Sequence, residues 1–329
     1  MEKRDIIVIG SSAGGVTALK TIVASFPENF KASVFIVQHI SADSLSLLPK
    51  ILENKSKLKV VHPQDGEKIK QGYIYIAPPD RHIIIEYEHI LVKRGPKENR
   101  FRPSIDALFR SAAYNYGTRV IGLVLTGMLD DGTSGMWSVK RLGGLGIIQQ
   151  PEDAEYPAMP LNVLEYVNVD YILPLSSIGE LLCELVVETA PKPYVVHSHD
   201  LHRMKSEIDI AAQKNAFENG IMEMGDLTPL TCPECHGVLM KLVEGNLIRY
   251  RCHTGHSFHS SSLLTGITES VEMKLWEALK NLEEKVMLLT ETAKEFELNK
   301  NITAAEDYYH KAEVARNRAK KLHEFIYEI

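Results

Sequence analysis

Residues Ile6–Gly15 have the sequence IIVIGSSAGG, an apolar run followed by a turn of glycine, serine and alanine. The apolar run is typical of a buried strand, and the apolar spacing that follows predicts a helix over 16–26. Strands are predicted again at 33–39 and 58–63, and helices at 44–54 and 104–117. Strands that alternate with helices predict an α/β fold, here a doubly wound and mostly parallel sheet covered on both faces.

One segment interrupts this alternation. Residues 72–95 contain short β-rich runs broken by Pro78-Pro79-Asp80, which predicts antiparallel hairpins inserted beside the sheet. The alternation then resumes with a very apolar strand at 119–127, a helix and a short strand within 133–150, and a helix that ends near Ala190. We therefore place an α/β domain at residues 1–190.

The rest of the chain is predicted to form three smaller parts. Residues 191–229 form a linker with one helix near 206–217, residues 230–262 a Cys/His module, and residues 263–329 two helices. Each helix carries an apolar seam with alternating spacings of three and four residues, which favours a helical hairpin, with pairing between chains as the alternative. The two seams are Leu275, Leu279, Leu282, Val286, Leu289, Ala293 and Phe296, and Ala305, Tyr308, Ala312, Ala315, Ala319, Leu322 and Ile326.

Composition excludes several classes of protein. The 329 residues are 44% hydrophobic and 24% charged, and 37 basic against 43 acidic residues give a net charge of −6. Such a balance is ordinary for a globular protein and disfavours nucleic acid as a partner. No apolar run approaches the ~18 residues of a membrane span, so we expect no membrane-embedded part. Three of the four cysteines crowd into one segment, which favours metal ligands and a reducing cytoplasm over disulfides.

The turn after the first strand is the first candidate for chemistry. Gly10–Gly14 matches G-x-S-x-G with Ser12 at its centre, whereas the second glycine of a dinucleotide fingerprint and the lysine of a phosphate-binding loop are both missing. Small neighbours allow a sharp turn that exposes a nucleophilic Oγ, and the N–H of Ala13 then faces a developing oxyanion. The alternative is a plain glycine-rich turn.

A serine nucleophile needs a base and a carboxylate. His39 ends the second predicted strand, and Asp130 and Asp131 follow the strand at 119–127. Carboxyl ends of parallel strands share one edge of the sheet, where ligands bind. The strand ends therefore collect Ser12, His39 and an aspartate, the residue types of a catalytic triad.

These stretches resemble a known family, the chemotaxis protein-glutamate methylesterases. The resemblance covers Ile6 to about Val187 and rests on IGSSAGG, FIVQHI, IYIAPPDRH, RPSIDALFRSAA, VLTGMLDDGTSGM and QQPEDAEYPAMP, in family order. It implies that the triad is Ser12, His39 and Asp131, and that the N–H of Met128 is a second oxyanion donor.

The chain departs from the family pattern at three places. Ala13 stands where a threonine is frequent, and Leu129 stands where glycine is usual. A leucine there would be strained if the position needs a positive φ. The usual N-terminal receiver domain is missing from the sequence, so we expect activity that small phosphodonors do not change.

Two polar groups beside the cleft have alternative interpretations. The basic residues Lys93, Arg94, Lys97, Arg100 and Arg102 could steer an acidic receptor helix or form a solvated loop. The stretch Arg102–Asp106 could shape the rim of the cleft, or its Ser104 could simply cap a helix.

The Cys/His module has the spacing of a zinc ribbon. Cys232 and Cys235 form one C-x2-C pair, and Cys252 with His256 forms the second pair after 16 residues. This spacing predicts one structural Zn²⁺, with His253 and His259 as competing fourth ligands and a metal-free hairpin as the alternative. We expect metal removal to loosen the module without affecting catalysis.

The sequence thus predicts a serine esterase that hydrolyses glutamate methyl esters on chemoreceptor-type proteins. Deamidation of receptor glutamines uses the same steps, and neither reaction needs a cofactor. The methylated chemoreceptor is the expected partner, and self-association through the C-terminal helices is a further expectation. The alternative function is a non-catalytic scaffold of a sensory complex.

Overall fold

The computed structural model describes residues 2–192 and 198–328. The chain folds into two compact units, Met1–Leu263 and Leu264–Ile329. Within the described residues, no helix combines the length and the apolar character needed to cross a bilayer.

The first unit is built on a sheet of parallel strands. Its helices are α1 Gly15–Ser25, α2 Leu48–Glu53, α3 Ile105–Tyr116, α4 Thr133–Arg141, α5 Ala158–Tyr166, α6 Leu175–Leu185 and α7 Ser198–Ala211. Its strands up to residue 173 are β1 Ile6–Ser11, β2 Ser33–Gln38, β3 Lys59–Val61, β4 Glu67–Lys68, β5 Tyr73–Ile76, β6 His82–Glu86, β7 His89–Lys93, β8 Val120–Val124, β9 Leu145–Gln149 and β10 Tyr171–Leu173.

The order of the main sheet is β10-β9-β8-β1-β2-β5-β3, and every pairing in it is parallel. Alternate residues of β1 enter two separate apolar cores, Ile7 and Ile9 against α1, α2 and α6, and Ile6 and Val8 against α3, α4 and α5. Both faces are therefore covered, which confirms the predicted doubly wound sheet.

The strand order reverses at β1. The chain first runs from β1 to β2 on one side and later returns to pair β8 on the other side. Ligands of such sheets bind at the carboxyl ends of the strands that flank this switch point. Residues that follow β1, β2 and β8 therefore share one crevice.

The segment 72–95 is only partly an antiparallel insertion. Tyr73–Ile76 is a strand of the main sheet, because it pairs in parallel with β2 and β3, and its residues Ile74, Tyr75 and Ile76 are completely buried. The predicted hairpin is β6 with β7, to which β4 adds an antiparallel edge.

The predicted linker contains a helix that packs on the sheet domain. Helix α7 begins at Ser198, earlier than the predicted 206, and Met204, Ile208 and Ala211 pack against Ile84 and Ala107. The described unit therefore runs to Leu263, whereas the sequence places boundaries at 190 and 229. Scattered apolar residues in a polar segment have no clear period, so this packing is not visible from the pattern.

The Cys/His segment forms an antiparallel sheet, here called the Cys/His sheet. Its strands, in sheet order, are β11 Asp226–Thr231, β12 Val238–Glu244, β13 Leu247–Cys252 and β14 Ser257–His259. It belongs to the same unit as the parallel sheet.

The C-terminal unit is the predicted helical hairpin. Helix α8 spans Ser260–Leu298 and α9 spans Ile302–Ile326. The seams meet within the chain, since Leu279, Ala319 and Ile326 form a buried cluster and the rings of Phe296 and Tyr308 stack 5.3 Å apart. Self-association through these helices stays a prediction.

Candidate active site

Ser12 lies in a crowded turn between β1 and α1. Its N–H donates to the carbonyl oxygen of Thr126 at 3.0 Å, and its own carbonyl oxygen accepts from Gln38 Nε2 at 2.8 Å. A Cβ on Gly127 would lie 2.8 Å from the Cβ of Ser12, and one on Gly15 would overlap Gln38 Oε1. Glycines are therefore required for this close approach of three strand ends.

His39 lies beside Ser12 because β1 and β2 are in parallel register. Ser11 pairs with Gln38, and the N–H of His39 donates to the carbonyl oxygen of Ser11 at 3.1 Å. The two candidate residues therefore follow directly paired positions at the end of adjacent strands.

His39 and Asp131 are in direct contact. Nε2 of His39 lies 2.9 Å from Oδ2 of Asp131, and both side chains are almost completely buried. An ionised carboxylate can only accept, so Nε2 carries the proton of the neutral imidazole and Nδ1 carries the lone pair. Within the described residues, Nδ1 is buried and has no hydrogen-bond partner. Nδ1 is therefore the nitrogen available to Ser12.

Asp131 accepts hydrogen bonds from four groups besides His39. These donors are Asn99 Nδ2 at 2.9 Å, Ser104 Oγ at 2.9 Å, the Ile105 N–H at 2.7 Å and the Asp106 N–H at 3.2 Å. Burial by itself raises the pKa of the Asp131 carboxyl, but the hydrogen bond from His39 and the other donors outweigh it, so the pKa is lowered. Asp131 is therefore held as a carboxylate.

Two contributors to this site carry no motif in the sequence. Phe101 stacks on the imidazole of His39, with ring centroids 3.7 Å apart and planes 9° apart, and Asn99 donates to Asp131. Both belong to an irregular loop, 95–103, whose path no local periodicity predicts. Ser104 occupies the first position before α3 as predicted, but its hydroxyl bonds Asp131 instead of capping the helix.

Asp130, the other carboxylate at this strand end, has a different role. Its Oδ2 accepts from the N–H of Ser262 at 3.0 Å and from the hydroxyl of Ser261. A carboxylate at these N–H groups stabilises the start of a helix, here α8. The structure therefore separates the two aspartates, which the strand-end pattern alone leaves equivalent.

The two predicted oxyanion donors are close to Ser12 along the fold, because Ala13 follows it directly and Met128 follows Gly127, on which a Cβ would lie 2.8 Å from the Cβ of Ser12. Neither Ala13 nor Met128 uses its backbone N–H for a hydrogen bond within the described residues. Leu129 has φ 64°, so this position does require the left-handed backbone that favours glycine. Asn162 Nδ2 donates to the Leu129 carbonyl oxygen at 2.8 Å and holds the turn.

The predicted metal ligands converge. One ligand atom from each of Cys232, Cys235, Cys252 and His256 lies within 4.8 Å of the others, a group that could hold a metal ion. His259 instead places Nε2 3.1 Å from Asp106 Oδ2, which removes it as a competing ligand.

The basic residues near the cleft are largely paired with carboxylates. Arg94 and Arg102 both contact Asp80, and Lys93 contacts Asp65. These pairs neutralise much of the positive charge that the sequence places in this loop.

A doubly wound sheet with a G-x-S-x-G turn, a histidine and a buried carboxylate at its switch point is the architecture of a serine hydrolase. The model of the CheB methylesterase family matches residues 7–182, and the chain belongs to that family. Residues 183–329, with the Cys/His sheet and the helical hairpin, lie outside this match.

Individual relatives agree with the family match. A protein of Leptospira interrogans is 41% identical over 182 residues, which cover 55% of this chain and 94% of the relative. The protein-glutamate methylesterase/protein-glutamine glutaminase of Thermotoga maritima is 38% identical over 185 residues, 55% of this chain and 54% of the relative. The crystal structure of the Thermotoga maritima CheB methylesterase catalytic domain matches with a TM-score of 0.53 and 38% identity, over 55% of this chain and 98% of that one.

Proposed function

We propose that this chain hydrolyses methyl esters of glutamate side chains on chemoreceptor-type proteins, with Ser12 as the nucleophile. The supporting observation is the His39–Asp131 pair, which leaves Nδ1 of His39 unpartnered at the strand end next to Ser12. Membership of the CheB methylesterase family and the names of its relatives supply the substrate class.

The reaction proceeds through an acyl-enzyme. Ser12 Oγ attacks the ester carbonyl carbon and transfers its proton to Nδ1 of His39, while the N–H groups of Ala13 and Met128 stabilise the oxyanion. The imidazolium then protonates the departing methanol. Water attacks the acyl-enzyme with His39 again as the base, which releases the glutamate carboxylate and restores Ser12.

Asp131 acts through His39. Its carboxylate keeps the proton of the neutral imidazole on Nε2 and stabilises the imidazolium. A receptor glutamine follows the same steps with ammonia as the leaving group, so we also propose deamidation, as the relatives' names indicate.

The ester enters a cavity that opens at His39. This cavity of about 160 Å³ is lined by His39 and Phe101 and by charged residues of both signs, Asp80, Lys97, Arg100 and Arg102. A narrow pocket suits a single extended side chain, and the charges at its rim are paired, Arg102 with Asp80 and Lys97 with Glu234.

We propose that the Cys/His cluster holds one structural Zn²⁺ in the cytoplasm. Cys235 Sγ lies 3.6 Å from Cys252 Sγ, and His256 Nδ1 lies 3.7 Å from Cys232 Sγ and 3.6 Å from Cys252 Sγ. A tetrahedral zinc ion sets ligands of these types about 3.5–3.8 Å apart. Three thiolates and an imidazole complete the tetrahedron, so the ion would stabilise the sheet and leave no position for a reacting water.

Methanol release from methylated receptor membranes tests the proposed esterase. Wild-type chain and the control Ser44→Ala, a substitution in an exposed loop, should release methanol, whereas Ser12→Ala should not. A fluorophosphonate probe should label wild type and not Ser12→Ala. A probe-reactive chain that releases no methanol would contradict the substrate, and an unreactive, folded wild type would favour a scaffold instead.

A further inference from the structure

The loop 95–103 connects the candidate active site to the Cys/His sheet. On the active-site side, Phe101 stacks on His39, and Asn99 Nδ2 donates to Oδ1 of Asp131 at 2.9 Å. The loop therefore contacts both the imidazole of His39 and the carboxylate of Asp131.

The other side of the same loop pairs with β14. The N–H of Asn99 donates to the Ser257 carbonyl oxygen at 2.7 Å, and the N–H of Ser257 donates to the Lys97 carbonyl oxygen at 3.2 Å. The N–H of His259 donates to Oδ1 of Asn99 at 3.0 Å. One side chain, Asn99, thus accepts from the Cys/His sheet and donates to Asp131.

A buried charge cluster fixes this junction. Glu98, next to Asn99, contacts Arg110 of α3 and Arg251 of β13 at 2.8 Å each, and all three side chains are at most 1% exposed. The contacts extend to Glu207 of α7. Separating these buried ion pairs would leave uncompensated charges away from water, so the pairs favour contact between the loop and the Cys/His sheet. The cluster consists of Glu98, Arg110, Glu207, Glu244, Arg249 and Arg251.

The two turns that carry the metal-ligand candidates also contact the loop. A Cβ on Gly255, next to His256, would lie 2.8 Å from Cγ of Pro96, so this turn packs directly on the start of the loop. Glu234, between Cys232 and Cys235, contacts Lys97 at 3.0 Å. Each of these turns therefore contacts the loop near its start, one at Pro96 and the other at Lys97.

We propose that the Cys/His sheet is a positioning element of the active site, which acts by holding the loop 95–103, with Asn99 as the positioning residue for Asp131. This inference rests on the proposed esterase function and adds a dependence on a part of the chain outside the family match. It reverses the expectation from the sequence that loss of the metal leaves catalysis intact, because the sequence does not show the contact between loop and sheet.

Asn99→Gly tests the positioning residue. Asn99 has φ 51°, which glycine adopts without strain, so the variant removes the amide and keeps the backbone. Loss of a group that orients a metal ligand typically costs about ten- to a hundredfold in activity, and we take the same range for a group that orients a catalytic carboxylate. We expect kcat to fall by that factor with KM nearly unchanged. The matched control is Gln213→Gly, an exposed amide residue with φ 73°, which should keep wild-type kcat.

Hydrogen–deuterium exchange of the full chain tests whether the loop 95–103 depends on the Cys/His metal site. Chelation of the metal, or Cys235→Ser, should deprotect the peptide that contains Asn99, whose N–H bonds Ser257, and should lower kcat by a similar ten- to hundredfold. The strand β8 should keep its protection.

The outcomes separate this inference from the proposed function. Suppose that the wild type releases methanol. The inference alone would then be overturned if Asn99→Gly keeps the wild-type kcat, or if chelation changes neither the protection of the loop nor kcat. A wild type without methanol release would overturn the proposed function, whereas the exchange of the loop still reports whether the Cys/His sheet holds it.

Discussion

The parallel sheet and the Cys/His sheet lie in one unit and both bury apolar side chains, such as Leu239, Leu242 and Phe258 in the second, but the second also holds paired buried charges. Strands β1, β2 and β8 are buried along their whole length, and the interior around them is apolar on both faces. The Cys/His sheet contributes Arg249, Arg251 and Glu244 to a buried interior of paired charges. Both regions nevertheless meet at Asp131, one through β8 and the other through Asn99.

Because of this difference, the two sheets should respond differently to pH and to metal. Apolar burial responds weakly to pH and metal, because no group in it titrates or ligates. Paired buried charges and a metal-ligand cluster respond strongly to both. The proposed nucleophile Ser12 lies on the first kind of structure, whereas we propose that the carboxylate of Asp131 is held by the second. On this proposal, the protein can lose activity while most of its fold persists.

The largest expected effect is the loss of the nucleophile on the parallel sheet. Ser12→Ala should lower the methylesterase kcat by about 10⁴-fold or more, as in triads that lose their serine. The thermal transition should stay near that of the wild type, because the substitution removes one partly exposed hydroxyl. Steady-state methanol release checks the first expectation and calorimetry the second. Residual activity above a hundredth of wild type would exclude Ser12 as the nucleophile.

The next effect tests the buried charges. Glu207→Ala leaves Arg249 and Arg251 buried without their common carboxylate, which should cost about 3–5 kcal/mol of unfolding free energy. Urea unfolding measures the loss, and Glu218→Ala, at an exposed position, is the control. A loss below about 1 kcal/mol would show that the cluster contributes little net stability.

Acid should destabilise the Cys/His sheet more than the parallel sheet. Burial by itself raises the pKa of Glu98 and of Glu207, but their arginine partners outweigh it, so both pKa values lie well below the usual range. A lowered native pKa contributes stability above the unfolded value of about 4.3, and this stability is lost as pH falls below it. Hydrogen exchange between pH 6 and pH 3 should show the Cys/His sheet opening before β1 and β8, and simultaneous opening would contradict the contrast.

The smallest expected effect concerns the turn after β8. Leu129→Gly removes a side chain from a left-handed backbone and should raise the unfolding free energy by about 1 kcal/mol. For a unit of this size that corresponds to a rise in Tm of about 2–4 °C. A lower Tm would show that the packing of the leucine side chain outweighs its backbone strain.

The sequence predicts the parallel sheet and three candidate catalytic residues because these features are local. An apolar run marks each buried strand, and parallel strands bring their carboxyl ends to one edge, so Ser12, His39 and one of the two aspartates Asp130 and Asp131 can be collected without coordinates. The spacing of Cys232, Cys235, Cys252 and His256 is local in the same sense, because each turn supplies one pair of ligands. The hairpin seams likewise follow from helical spacing.

The support of the site depends on contacts between residues distant in the chain. Asn99 meets Ser257 and His259 across about 160 positions, and Glu98 meets Arg251 across 153. Neither pairing leaves a periodic pattern in the sequence, because the sequence does not distinguish a charged residue that is buried with a partner from one that is exposed. The contact of His39 with Asp131 and not Asp130, the stacking of Phe101 on His39 and the contacts between the two sheets were decided by tertiary packing, because each requires a partner that only the folded chain brings close.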